Sequence, residues 1–227
     1  MSEAVLLDIE GTVSPVAAIR DSLYPYARAR LAEWIRRPEP EIGRIVDTLR
    51  LAMGDVHADA AAVTGRLEQW ADLEIRAEPL RALQGLIWLD GFASGALTAQ
   101  FYADVPPALA NWAQAGVQVY VFSAESELVQ QIWFANSQFG DLSGGLSGHF
   151  DSTAEGEVDD PLSYRLIAKV IGVSPERIRF VSGAVEKLDA AAAAGLRTVG
   201  VSRVEDGSPE VGTHPRVASF SEIPTTG

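Results

Sequence analysis

The chain has 227 residues, 47% of them hydrophobic, with 31 acidic against 18 basic side chains and a net charge of -13. That length and apolar share suffice for one domain, or one domain carrying an insertion. The acidic balance argues against a nucleic-acid partner, which needs a basic face, and with no cysteine disulfides, thiolate metal sites and a cysteine nucleophile are excluded.

No run of about 18 apolar residues suggests a membrane span. Met1-Ser2-Glu3 lacks the basic start and long apolar stretch of a secretory signal, so a soluble, cytoplasmic protein with no membrane partner is expected.

Ala4-Val5-Leu6-Leu7 is an apolar run that suits a strand buried on both faces, and it delivers Asp8 and Glu10 before turning at Gly11. Two residues apart on an extended chain, the two carboxylates point the same way. One can then attack while the other trades protons; a plain surface turn is the alternative reading. Asp21 to Arg37 reads as one helix with Leu23, Ala27, Leu31 and Trp34 on one face, ended by Pro38 and Pro40. Ile42, Ile45, Val46, Leu49 and Met53 mark a second helix, and Val63, Leu67 and Trp70 a third. No strand pattern interrupts the stretch as far as Leu83-Gln84-Gly85-Leu86-Ile87-Trp88, so residues 16–98 read as an all-helical insertion and residues 1–15 with 99–227 as the body that carries it.

Beyond the insertion the pattern alternates. Val105 to Ala115 is a helix stopped by Gly116, Val117 to Phe122 a strand, and Glu125 to Asn136 a helix. After a Gly-rich loop through Gly144-Gly145 come a helix at Pro161 to Ile171, a strand at Ile178 to Val181, a helix at Val185 to Ala194 and a strand at Thr198 to Val201. The tail from Glu205 reads as loop, with an edge element near Val217 to Phe220. Alternation of this kind implies an α/β fold with a Rossmann-like parallel sheet. Asp8, Ser123 and Ser182 then end three strands at one sheet edge, where such sheets bind ligands, and the helical insertion is a candidate lid. His57, His149 and His214 are scattered and support neither a metal cluster nor a Ser-His-Asp triad; His149 reads as a residue that holds a loop.

An aspartate ending the first strand in Asp8-Ile9-Glu10-Gly11-Thr12, a helical cap inserted straight after it, and Ser123 ending the next core strand resemble the haloacid dehalogenase (HAD) superfamily. Together with Leu83-Gln84-Gly85-Leu86-Ile87-Trp88, Tyr102-Ala103-Asp104-Val105-Pro106, Phe139-Gly140-Asp141-Leu142 and Ser147-Gly148-His149-Phe150-Asp151, the Asp-x-Glu-Gly-Thr run is similar to the enolase-phosphatases (acireductone synthases) of methionine salvage. The similarity runs from about Val5 to Arg203. The resemblance implies a HAD core with a helical cap, acting as a monomer on a small phosphorylated or carbonyl-containing substrate. It implies that Asp8 accepts the phosphoryl group and binds Mg²⁺, with the Glu10 carbonyl as second metal ligand and the Glu10 side chain as acid/base. Ser123 would bind phosphoryl oxygens, and Ser123, Ala124, Glu125 and Trp88 would line the substrate. The family enolises a diketo-pentyl phosphate and then hydrolyses the phosphate.

The chain departs from that pattern where cations should be. Gly183 follows Ser182 where the family has a metal-binding aspartate, and Val158 falls where a lysine is expected. Ala124 and Glu125 replace serine and glycine, and Leu89, Ala93 and Gln100 stand at places that are basic in the family. One lost electrostatic group costs about 2.7 to 4 kcal/mol of barrier, which weighs against full phosphatase activity. Only Lys169 and Lys187 could compensate. Lys169 lies late in its helix and should point away. Lys187, four residues after Gly183 where the family tends to have an acid, can supply the missing charge to Asp8; an exposed lysine paired with Glu186 or Asp189 is the alternative. Three functions therefore stay open: a HAD hydrolase of the enolase-phosphatase kind, a diverged enzyme using Asp8 and Glu10 for metal-independent isomerase or dehydratase chemistry, and a non-catalytic binding homologue.

Overall fold

The computed structural model describes residues 3–152 and 154–225. The chain divides into two compact units, Met1–Ala18 with Thr98–Gly227, and Ile19–Leu97.

The first unit is an α/β domain. Its described residues form a six-stranded sheet from β1 (Ala4–Leu7), β2 (Gln118–Ser123), β3 (Gly148–Asp151), β4 (Ile178–Ser182), β5 (Arg197–Val201) and β6 (Arg216–Val217). The order is β3-β2-β1-β4-β5-β6, and each neighbouring pair is parallel. Between the strands run α6 (Val105–Gln114), α7 (Glu127–Ala135), α8 (Pro161–Ile171) and α9 (Val185–Ala193). The period-two alternation of the strands sorts their side chains onto two faces. Leu6, Phe122, Phe150 and Phe180 enter one apolar cluster with Tyr164 and Ile167 of α8 and Leu188 and Ala191 of α9. Val5, Leu7, Val119, Val121 and Val181, the residues between them, are equally buried. Central parallel strands covered on both sides need such continuous apolar runs.

The strand order reverses direction between β1 and β4. In doubly wound sheets the crevice at such a reversal, at the carboxyl ends of the strands, is the ligand-binding place. Leu7 pairs with Val121 on one side and Val181 on the other, so Asp8 emerges beside Ser182 at that reversal.

Two sequence expectations for this unit are corrected. Gly148 to Asp151, expected as loop, is strand β3, paired with β2 from Tyr120↔Gly148 to Ser123↔Asp151; four residues that include a glycine and a histidine are too few and too polar to show the period of a strand. The tail's edge element is β6 alone, and Phe220 lies in a short 3₁₀ turn, Phe220–Glu222.

The second unit is helical: α1 (Tyr24–Arg28), α2 (Leu31–Trp34), α3 (Pro40–Met53), α4 (Ala60–Asp72) and α5 (Glu78–Ala93). The single helix expected over Asp21 to Arg37 is interrupted. A π-helical turn spans Ala18–Leu23, α1 follows, and the chain breaks at Ala29 and Arg30 before α2. Pro25 has no N–H to continue a ladder from the preceding turn, so it is tolerated only at the start of a helix. Leu31, Trp34, Ile42, Leu49, Val63, Leu67, Leu83 and Ile87 form the buried interior. Gly91 permits a close approach inside it: a Cβ there would lie 2.7 Å from Leu97 Cδ1 and 2.8 Å from Tyr26 Cε1. None of the described helices is long and apolar enough to cross a membrane.

Candidate active site

Asp8 sits one residue beyond β1 and is 1% exposed. A buried carboxylate is stable only where hydrogen-bond donors replace its water, and the local chain supplies them. Oδ1 accepts from the Ile9 N–H at 2.9 Å and from the Lys187 ammonium at 2.8 Å. Oδ2 accepts from the Ser182 hydroxyl at 2.7 Å, and the Thr12 hydroxyl stands 3.5 Å away. The Ser182 hydroxyl comes from the end of β4, and Lys187 from the first turn of α9, with its side chain 18% exposed. Lys187 pairs with Asp8, and Asp189 bonds His214, at 3.0 Å.

The loop after Asp8 is wound tightly. The N–H groups of Thr12, Val13 and Ser14 converge on the Ile9 carbonyl, and Gly11 adopts φ +67° with its N–H on the Ser14 carbonyl. Thr12 is fully buried and ties three segments together. Its hydroxyl accepts from the Gly183 N–H at 2.9 Å and reaches the Glu10 carbonyl at 3.4 Å. Its carbonyl accepts two bonds from Arg203, Nε at 3.1 Å and Nη2 at 2.8 Å. Arg203 is itself buried, with its guanidinium 4.1 Å from the Tyr102 ring centroid and 4.8 Å from that of Phe220, and Nη1 on Asp104 at 2.7 Å. Burial would raise the Asp104 pKa, but hydrogen bonds from Arg203, the Phe220 N–H and Ser219 hold it below the ordinary carboxylate value. The Tyr102 hydroxyl bonds Asp206, which also accepts the Val16 N–H; burial first, and Asp206 second, push that phenol well up.

Ser123 ends β2, and its hydroxyl accepts from the Glu125 N–H at 3.3 Å. The Ala124 carbonyl accepts from Ser152, and the Glu125 carbonyl from Gln130, which also reaches the Phe150 carbonyl. The serine loop is therefore pinned to β3 through its backbone. Glu10 is half-buried beyond β1. Trp88, expected at the substrate, is 1% exposed inside the helical unit, with its indole N–H on the Leu23 carbonyl at 2.8 Å and its ring edge-on to Tyr24. That is a packing role. His149 lies in β3 against Gln130 and Phe134, and burial lowers its pKa. His214 links Asp189 to Thr198, but Thr198 lies three residues before the end of β5, away from the strand ends. Val158 packs against the apolar cluster, and its carbonyl accepts the Tyr164 hydroxyl.

A Mg²⁺ site takes near-octahedral oxygen ligands including one or two carboxylates; Asp8 is one, and the second that the family places after Ser182 is Gly183 here. Among the described residues no group of three or more His, Asp or Glu side chains is placed to hold a metal ion. The surroundings of Asp8 and Glu10, the two residues expected to hold Mg²⁺, fit that ion badly. The Asp8 oxygen a cation would share already carries an ammonium, and the Glu10 carbonyl faces the Thr12 hydroxyl. A Cβ on Gly183 would lie 2.7 Å from the Gly11 carbonyl oxygen and 3.3 Å from that of Val201, so the backbone leaves no room for the family's acid.

A nucleophile-like carboxylate at the first strand, a serine at the second and a lysine reaching it from the helix after the fourth define a hydrolase of one known architecture. The chain belongs to the haloacid dehalogenase-like hydrolases, whose family description matches residues 3–195. Within that family it is 47% identical to enolase-phosphatase E1 of Frankia alni, over 98% of this chain and 95% of that protein. It is 43% identical to enolase-phosphatase E1 of Streptomyces avermitilis, over 97% and 94%. The UTR4 protein of Saccharomyces cerevisiae shares the fold, with a TM-score of 0.84 over 98% of this chain and all of that one at 24% identity.

The sequence motifs pointed to Asp8 and Ser123, and Lys187 was a candidate through its spacing from Gly183. Thr12, Arg203 and Asp206 were missed as site-building residues. Only their inclusion in or near family-like runs could have flagged them, because their partners lie far away along the chain.

Proposed function

We propose that the chain enolises and dephosphorylates a small phosphorylated carbonyl compound, as its relatives' name describes, with Asp8, Glu10 and Ser123 touching the substrate. The observation that carries this reading is the placement of Asp8, a buried, hydrogen-bonded carboxylate at the carboxyl end of the central strand, beside the strand-order reversal. Oδ2 is the attacking oxygen. Among the described residues its second acceptor position faces only the Thr12 hydroxyl at 3.5 Å, and that hydroxyl can turn to the Glu10 carbonyl.

Glu10 first takes the proton from the carbon beside the substrate carbonyl and returns it to the carbonyl oxygen, giving the enol. Asp8 Oδ2 then forms a bond to phosphorus while the bond from phosphorus to the substrate oxygen breaks, and that oxygen takes a proton from solvent. Water attacks the phosphorus and loses a proton to the Glu10 carboxylate, the bond from phosphorus to Asp8 Oδ2 breaks to restore the Asp8 carboxylate as inorganic phosphate leaves, and Glu10 returns its proton to solvent. Ser123 donates to the phosphoryl oxygens throughout.

A second reading is favoured by the saturation of the Asp8 oxygens and the uncharged Val158: proton transfer alone, without phosphate release. One assay separates the two. On a diketo phosphate analogue, the first reading expects enol absorbance followed by inorganic phosphate, with phosphate release lost in Asp8→Asn. Enol accumulation without phosphate supports the second, and turnover unchanged in Asp8→Asn overturns both.

A further inference from the structure

We infer that Lys187 is a resident cation that takes the place of a divalent metal at Asp8, so that this site neutralises its substrate without Mg²⁺. The inference rests on the phosphohydrolase reading for its catalytic arm, but not for its binding arm.

Three observations carry it. First, the ammonium lies 2.8 Å from Asp8 Oδ1, on the carboxylate of a residue that is 1% exposed. A metal sharing that oxygen would stand within a few ångströms of a fixed positive charge, where like charges repel strongly because the surroundings screen little. Second, the other Asp8 acceptor positions face Ile9, Ser182 and Thr12. Protein donors occupy the carboxylate except at the Oδ2 position that faces Thr12 at 3.5 Å, which is the one the attack on phosphorus uses. Third, the Gly11 carbonyl and the Gly183 Cα pack so closely that a Cβ at residue 183 would meet the oxygen at 2.7 Å. The loop has closed over the space a second carboxylate would use.

The lysine can also do what the replaced ion would do. Among the described residues Asp8 is the partner of the ammonium, which leaves two of its three N–H groups to turn toward phosphoryl oxygens. Its flexible four-carbon stem lets a point charge follow the phosphoryl group as charge develops. Asp8 and Lys187 together are neutral, so an incoming phosphate dianion meets no net negative charge from the pair.

The test uses the purified full chain. The electron paramagnetic resonance signal of free Mn²⁺ is expected to stay unchanged on adding an equimolar amount of wild-type protein, and a loss of that signal that Asp8→Asn abolishes overturns the inference. Phosphate release is expected to change by less than about twofold between Mg²⁺ and chelator, whereas a loss of about tenfold or more with chelator overturns it. Lys187→Met is expected to lower kcat/KM for phosphate release by about a hundredfold or more with no rescue by Mg²⁺, while Lys187→Arg retains part of the rate. Full activity in Lys187→Met overturns the inference. Should Lys187→Met fail to fold, the two wild-type measurements still decide. If no phosphate is released under any condition the phosphohydrolase reading fails by itself, and Mn²⁺ binding still tests the cation.

Discussion

The two units place their charges in opposite ways. In the helical unit the ion pairs lie at the surface: Arg37 with Glu33 at 3.5 Å and Arg50 with Asp47 at 3.1 Å, the acids 71% and 72% exposed. Its stability comes from apolar helix faces such as Leu49, Leu67 and Leu83. The α/β unit has surface pairs too, such as Arg197 with Glu3, but it also holds two inside: Lys187 with Asp8, and Arg203 with Asp104, where the guanidinium is 4% exposed. Exposed pairs contribute little, while a buried charge stripped of its partner is expensive. Charge in one unit is solvation; in the other it is architecture.

That contrast can be broken by substitution. Lys187→Met should cost about 3 to 5 kcal/mol in urea unfolding, because it leaves Asp8 buried and unpaired. Adding Asp8→Asn should recover part of the loss, and additivity of the two changes would refute the coupling. Arg203→Ala should follow at about 3 kcal/mol. Its effect should be smaller than that of Lys187 because Asp104 keeps Ser219 and the Phe220 N–H. Gly183→Ala should cost about 1 to 3 kcal/mol through overpacking against the Gly11 carbonyl; an unaltered thermal midpoint would refute that contact. A pH series sharpens the comparison at a single residue. Burial holds the folded pKa of His149 below its ordinary value of 6.5, so the unfolded chain binds a proton the folded chain refuses, and stability should fall as pH drops through about 6.5. The fall between neutral pH and pH 5 should be shallower in His149→Gln. At the other extreme, Asp47→Ala in the helical unit should change stability by about 0.5 kcal/mol or less.

Much of the frame was legible because local rules and tertiary demands agree. Gly116 and Gly172 stop their helices at φ +70° and +73°, as a residue without a Cβ allows, and uninterrupted apolar runs mark β1, β2 and β4. The strand ends at Asp8, Ser123 and Ser182 followed from that alternation. What escaped has a common physical cause. β3 is short and partly solvated, so its pattern is diluted, and the break near Ala29 depends on how α1 and α2 pack. At the site, Lys187 had near neighbours in Glu186 and Asp189, and nothing local says that it reaches back to Asp8. Arg203 finds Thr12 across 191 positions of sequence, a pairing only the sheet creates.

The packing of Gly11 against Gly183 also bears on how such a site can change over generations. An acid at residue 183 would need the Gly11 loop to move first, because the side chain would arrive where a carbonyl already stands. A lysine at residue 187 would meanwhile penalise any cation the new acid attracted. The two positions are thus coupled: an acid at 183 is accommodated only when the loop and residue 187 change with it.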